Sequence, residues 1–259
     1  MESPSPSPSP STPETPAPRA PRRAARGFVV AVVALAAIGV GSLSALALRH
    51  HGTPTTSLVR VSGLPANIST ATANLMQLSP VPARPAPTFT LVDQRGATVS
   101  LDSFRGRAVV LEFMDPHCTD ICPLVSQEFI DAYHDLGAAA TNVVFLAVNV
   151  NQYFASPANM MTFSRAHSLT TIPSWHFLTG STSALRRVWG DYGIDVIAKN
   201  PNADILHTSA LYVIDPKGRE RFIASPVVDH RAGGASYLPA NTLTAWGRGI
   251  AQLAHDVLK

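Results

Sequence analysis

Two hydrophobic rhythms divide the chain. Near its start, Phe28 to Leu48 runs for 21 residues with no charged side chain. As a helix that run spans about 32 Å at ~1.5 Å per residue, enough for a hydrocarbon core. Beyond residue 84 the apolar runs are short. Ala108–Phe113 and Val143–Val150 are nearly continuous and suit strands buried on both faces. Trp175–Leu178 and Ser209–Ile214 read as further strands. Between them the period changes. Val125, Phe129, Ala132 and Leu136 share one face of a helix running from Leu124 to Leu136 and stopped by Gly137. Met160–His167 and Ala184–Tyr192 read as helices. Leu243, Trp246, Ile250, Leu253 and Val257 form an amphipathic stripe that packs onto a sheet. Phe89 and Leu91 face Val99 and Leu101 across the turn Asp93-Gln94-Arg95-Gly96. Asp215-Pro216-Lys217-Gly218 turns the chain into Arg219–Ala224. There are no internal repeats.

Strands alternating with helices, followed by a late hairpin, predict an α/β fold of thioredoxin type. It has a central mixed sheet flanked by helices, preceded by one N-terminal transmembrane helix. Residues 2–26 hold eight prolines in a Pro/Ser/Thr/Ala-rich stretch, which predicts a disordered tail over 1–26. An anchor follows over 27–48. Arg19, Arg22, Arg23 and Arg26 precede it and only Arg49 follows closely, so the tail is cytoplasmic and the rest lies outside the cell membrane. Ala45-Leu46-Ala47 resembles a cleavage site, but the run exceeds a signal-peptide core. Residues 49–83 read as an exported linker with a short helix near Thr70–Leu78. The folded domain spans 84–259, its first structured residues near Ala86-Pro87.

Charge supports that division. The net charge is +3, but residues 1–83 carry six Arg against two Glu. Residues 84–259 carry 14 Lys/Arg against 15 Asp/Glu. The basic excess sits in the N-terminal segment, and the folded part shows no footprint for nucleic acid.

The chain has two cysteines, both in Cys118-Thr119-Asp120-Ile121-Cys122-Pro123, between a strand and a helix start. Backbone N–H groups and the helix dipole favour a thiolate there. A stapling disulfide is disfavoured, because so short a loop restrains little unfolded-chain entropy. The C-x-x-x-C spacing leaves disulfide exchange and metal binding open. Residues i and i+4 on a helix point the same way, so both sulfurs can reach one ion, and two thiolates suit soft Cu(I). A peroxidase of peroxiredoxin type is the less favoured reading.

There are nine histidines. His50 and His51 lie beside the membrane run. His117 adjoins Cys118 and is expected to point away. His134, His167, His176, His230 and His255 have no evident partner. His207 stands before the strand Ser209–Ile214, in a loop that faces the thiol helix in a thioredoxin-type sheet. A redox enzyme places a cis-proline in that loop, and this chain has no proline between Pro201 and Pro216.

His117-Cys118-Thr119-Asp120-Ile121-Cys122-Pro123 and His207-Thr208-Ser209-Ala210-Leu211-Tyr212-Val213-Ile214-Asp215-Pro216-Lys217-Gly218 together resemble the Sco/SenC copper proteins, across roughly residues 86–224. The resemblance implies Cys118 and Cys122 as thiolate ligands and His207 as imidazole ligand of one copper ion per domain. It implies a copper-accepting subunit of cytochrome c oxidase as partner, served by copper delivery or by reduction of its cysteines. A thiol reductant or copper donor outside the membrane completes the set. The alternative is a membrane-anchored thiol–disulfide oxidoreductase in which Cys118 and Cys122 are the redox pair. This chain departs from the family pattern in two places. After the central strand, Asn149-Val150-Asn151-Gln152-Tyr153 carries no acid, whereas the family places one there to support the imidazole. The loop Val228–Pro239 is also long. Asp115 and Asp120 stand near the thiols. They read first as turn and helix-start charges that can tune the sulfurs.

Overall fold

A computed structural model describes residues 62–259. The predicted tail over 1–26, the anchor over 27–48, the first part of the linker, His50 and His51 lie outside the described residues. Among the described residues no helix is long and apolar enough to cross a membrane.

The elements follow in order. Helix α1 is Thr70–Leu75, and strands β1, β2 and β3 are Ser79–Pro85, Thr90–Val92 and Thr98–Ser100. Strand β4 (Ala108–Met114) leads to α2 (Cys122–Leu136), then β5 (Val143–Asn149), α3 (Pro157–Ala166), β6 (Trp175–Leu178) and α4 (Thr182–Asp191). Short strands β7 (Val196–Ile197) and β8 (Leu206–His207) precede β9 (Leu211–Ile214) and β10 (Arg219–Ala224). The hairpin β11 (Asp229–His230) and β12 (Ser236–Tyr237) precedes the last helix, α5 (Ala240–Val257).

Six strands form the central sheet in the order β1-β10-β9-β4-β5-β6. β4, β5 and β6 are parallel, while β9, β10 and β1 join antiparallel. Every residue of β4 and β5 is buried, as continuous apolar runs require when helices cover both faces. Val110, Phe145 and Phe177 meet Phe129 of α2 and Trp246 and Ile250 of α5 on one face. Val109, Leu111 and Val148 meet Leu185, Val188 and Trp189 of α4 on the other, with the β2–β3 hairpin alongside. The predicted layers are therefore present. Gly218 closes the β9–β10 turn at φ +71°, while Asp215 Oδ1 accepts from the Lys217 and Arg219 amides at 2.9 and 3.0 Å.

The domain starts earlier than the boundary at residue 84. Ile68, Met76 and Leu78 are buried in the core, and α1 packs against α5. β1 pairs with β10 at the sheet edge, and Arg84 reaches buried Glu220 at 2.6 Å. The prolines at 80, 82 and 85 hide this strand from a pattern search. An edge strand tolerates them because half of its amides need no ladder partner. The expected short helix is present, as part of the domain rather than of a linker.

Candidate metal centre

Helix α2 begins at Cys122 with Pro123 in its first turn and no capping side chain from Ile121. The Cys118 sulfur takes that role and accepts from the Cys122 amide at 3.4 Å. Both cysteines are free thiols. Cys118 is half-buried, and Cys122 is sealed beneath it. The two titrate in opposite directions. The Cys122 thiol hydrogen-bonds to Cys118, and with amide donors at Cys122 and Asp120 it draws Cys118 down to about 7 against the cost of burial. Holding that bond, together with burial, pushes Cys122 well up. The pair is an accessible thiolate backed by a buried thiol.

His207 ends β8, whose partner is β7 through the pairing Val196↔His207. It therefore sits in a small hairpin of its own, rather than in a bare loop before β9. Its Nδ1 lies 2.9 Å from the Thr208 carbonyl. As donor in that bond, Nδ1 leaves Nε2 with a free lone pair, the tautomer a metal ligand needs. Burial lowers the His207 pKa, which keeps the ring neutral. His207 and Cys118 line one cavity of about 320 Å³, with Asp115, His117 and Asp120.

The structure brings Cys118 and His207 to this cavity and places Cys122 behind Cys118. Among the described residues no three His, Cys, Asp or Glu side chains converge on one point. The donors are chemically suited to a soft ion. Gripping one ion with all three requires these side chains to be drawn closer together.

Three features add to the sequence reading. The ring of His117 does not turn away: it lines the cavity and stacks on Phe154 at 3.7 Å between centroids. His230 does have a neighbour, because β11–β12 carries its Nε2 to 3.8 Å from Asp120 Oδ1, between the two cysteines in sequence. The acid missing after β5 has a counterpart in Asp115. Asn151 Nδ2 donates to Asp115 Oδ1 at 2.9 Å, and the His117 amide donates to the same atom at 2.8 Å. Asn149 in turn accepts from the Asn151 amide at 2.7 Å, which fixes the amide pair. Asp115 is 7 % exposed, and its charge acts on Cys118, Cys122 and His207 together. Only a pairing of positions 115 and 151 could have revealed this in the sequence.

Asp115 raises both thiols and the imidazole. Asp115→Asn keeps the Oδ1 acceptor and removes the charge. The Cys118 midpoint is expected to fall, because a negative neighbour that opposed the thiolate is gone. Alkylation of the reduced protein by iodoacetamide, followed against pH, should shift to lower pH and run a few-fold faster near pH 6. A shift to higher pH would show that the charge of Asp115 does not reach the sulfur.

The model of the family described as SCO1/SenC matches residues 79–231. The chain belongs to the SCO1/SenC family. A SCO1 protein homolog of Bacillus subtilis is 26 % identical over 133 residues, 51 % of this chain and 68 % of that protein. A putative peroxiredoxin of Mycobacterium tuberculosis is 28 % identical over 138 residues, 53 % of this chain and 80 % of that protein. Among solved structures, Bradyrhizobium japonicum ScoI with copper bound superposes with a TM-score of 0.52 at 21 % identity, covering 67 % of this chain and 99 % of that one. At that identity the superposition establishes a shared fold, the thioredoxin-like α/β arrangement.

Proposed function

We propose that this protein is a membrane-anchored, extracytoplasmic copper carrier of the SCO1/SenC family. It takes one copper ion through Cys118, Cys122 and His207. It serves the copper-accepting subunit of cytochrome c oxidase, by handing over copper or by keeping that subunit's cysteines reduced. The observation that carries the reading is the single cavity lined by Cys118 on the thiol loop and His207 on β8. Family membership supports it, as does the copper bound by the B. japonicum relative. The uncharged run Phe28–Leu48 with Arg on its N-terminal side supports an anchor that leaves the domain outside.

A second reading, a thiol–disulfide oxidoreductase, is favoured by the split titration of the thiols. A half-buried, cavity-lining sulfur near 7 suits attack on a disulfide, and a buried protonated partner suits release of the mixed disulfide. The peroxiredoxin relative is consistent with it.

Anaerobic titration of the reduced full chain with Cu(I) separates the two. The copper reading expects one equivalent bound per chain, with both cysteines protected from alkylation while copper is present. Binding of no copper by a chain whose two thiols count as reduced would leave the oxidoreductase.

A further inference from the structure

Among the described residues three large apolar side chains are exposed, Tyr153, Ile197 and Leu206, and they meet on one surface. Ile197 and Leu206 are cross-strand partners in the β7–β8 hairpin. Strand alternation stands both outward: their chain neighbours Val196 and Ile205 turn inward and pack on the core. The Tyr153 hydroxyl donates to the Ala198 carbonyl at 3.1 Å, which joins the loop after β5 to the same hairpin. Leu206 is 63 % exposed and also lines the thiol cavity. From Tyr153 the surface continues through Phe154 to the ring of His117, stacked on it beside Cys118. A single exposed apolar residue needs no explanation, but a group of them gathered at the mouth of the thiol cavity does.

Charge narrows what can cover this surface. The cavity wall holds Asp115, Asp120 and Asp204 and no Lys or Arg. Asp115 is buried and engaged by the Asn151 side chain and the His117 amide. Asp120 has His230 at 3.8 Å. Asp204 is exposed and forms no ion pair among the described residues. Of the bases nearby in the chain, Arg186 donates to Gln152 Oε1 at 2.8 Å, and Lys199 lies between β7 and β8, outside the cavity wall. An anionic lipid surface would be repelled by the aspartates. A second copy docked face to face would bring the same aspartates together. A segment that pairs apolar side chains with a positive charge fits both features.

We propose that Tyr153, Ile197, Leu206 and Asp204 form the docking surface for a cysteine-bearing partner segment with apolar and basic residues beside its cysteine. The proposal rests on the thiol cavity being the working site, under either reading above. Burial of Ile197 and Leu206 supplies the hold, because apolar area leaves water. Asp204 orients the segment and speeds its approach. Leu206 and His207 are consecutive, so a segment seated on the one lies beside the other.

The test uses short peptides whose single cysteine is carried as a 2-pyridyl disulfide, flanked by Leu and Lys, by Leu and Glu, or by Ser and Lys. The Cys118 thiolate attacks the peptide sulfur. A Cys118–peptide disulfide forms, the bond to the pyridyl sulfur breaks, and pyridine-2-thione leaves and is read by its absorbance. Initial rates with the reduced full chain in neutral detergent are divided by those with 2-mercaptoethanol, which removes intrinsic reactivity. The Leu/Lys peptide should react about two- to fivefold faster than either of the others. Its lead over Leu/Glu should shrink in high salt. Asp204→Asn should erase the lead over Leu/Glu, and Leu206→Ser the lead over Ser/Lys. Ile197→Ser is the second variant should Leu206→Ser disturb His207. Equal normalised rates for the three peptides would overturn the docking surface and leave the thiol reading intact. No release from any peptide, by a chain whose thiols count as reduced, would sink that reading and the proposal with it. Slowing of all peptides alike as the chain is concentrated, or on adding phosphatidylglycerol vesicles, would assign the surface to a second copy or to a lipid surface, and overturn the proposal.

Discussion

A chain cut to residues 84–259 is expected to lose most of its stability, whereas one cut to residues 62–259 keeps it. The shorter chain lacks Ile68, Met76 and Leu78, which are 0 %, 0 % and 5 % exposed. Burying a side chain of this size stabilises by roughly 1.5–3 kcal/mol, so together they contribute about 4–9 kcal/mol as an upper bound. A whole domain has only ~5–15 kcal/mol in hand. The loss also uncovers α5 where Gly249 meets Met76 and Thr72, and removes β1 from the edge beside β10. That leaves β10 with an unpaired row of backbone groups, open to edge-to-edge association. Denaturant unfolding of the two chains, with light scattering beside it, measures the effect. Met76→Ala in the longer chain should by itself cost about 2–5 kcal/mol. Equal denaturation midpoints for the two truncated chains would show that α1 and β1 rest on the domain without supporting it.

What was legible in the sequence follows from which forces write a pattern into it. β4, β5 and the stripe of α5 stood out because each buries a whole run or a whole face, so residue type and position must agree. β1 did not, because pairing at an edge makes little demand on side chains: most of its residues are exposed. The hairpins β7–β8 and β11–β12 have strands of two residues each, too short for any periodicity. They nevertheless carry His207 and His230 to the thiol loop. The two cysteines were readable from rarity and spacing. The role of Asp115 was not, because an acid replaced by an amide after β5 reads as a loss until the Asn151–Asp115 bond is seen.

His207→Ala is expected to separate the two oxidation states of copper. Cu(I) is soft and is satisfied largely by thiolate, so Cys118 and Cys122 should still hold it in the variant, with lower affinity. Cu(II) relies on imidazole nitrogen, and Nε2 is the atom left free by the Nδ1 contact to the Thr208 carbonyl. Supporting groups around a metal already cost 10–100-fold when removed, so loss of the ligand itself should weaken Cu(II) by at least about 100-fold. The redox couple must follow: weakening the oxidised complex more than the reduced one raises the reduction potential of the bound ion. Both quantities are measurable on the full chain, with Cu(II) affinity from competition against a nitrogen chelator and nitrogen hyperfine coupling from electron paramagnetic resonance. The three donors do not converge as they stand, so His207 must be drawn in to an ion held at Cys118, and the wild type should show slower Cu(II) uptake than Cu(I) uptake. In His207→Ala that difference should vanish along with the hyperfine signal. Unchanged Cu(II) affinity and an unchanged spectrum would remove His207 from the ligand set. The thiol pair would then remain as a redox site of the kind that its opposed titration already favours.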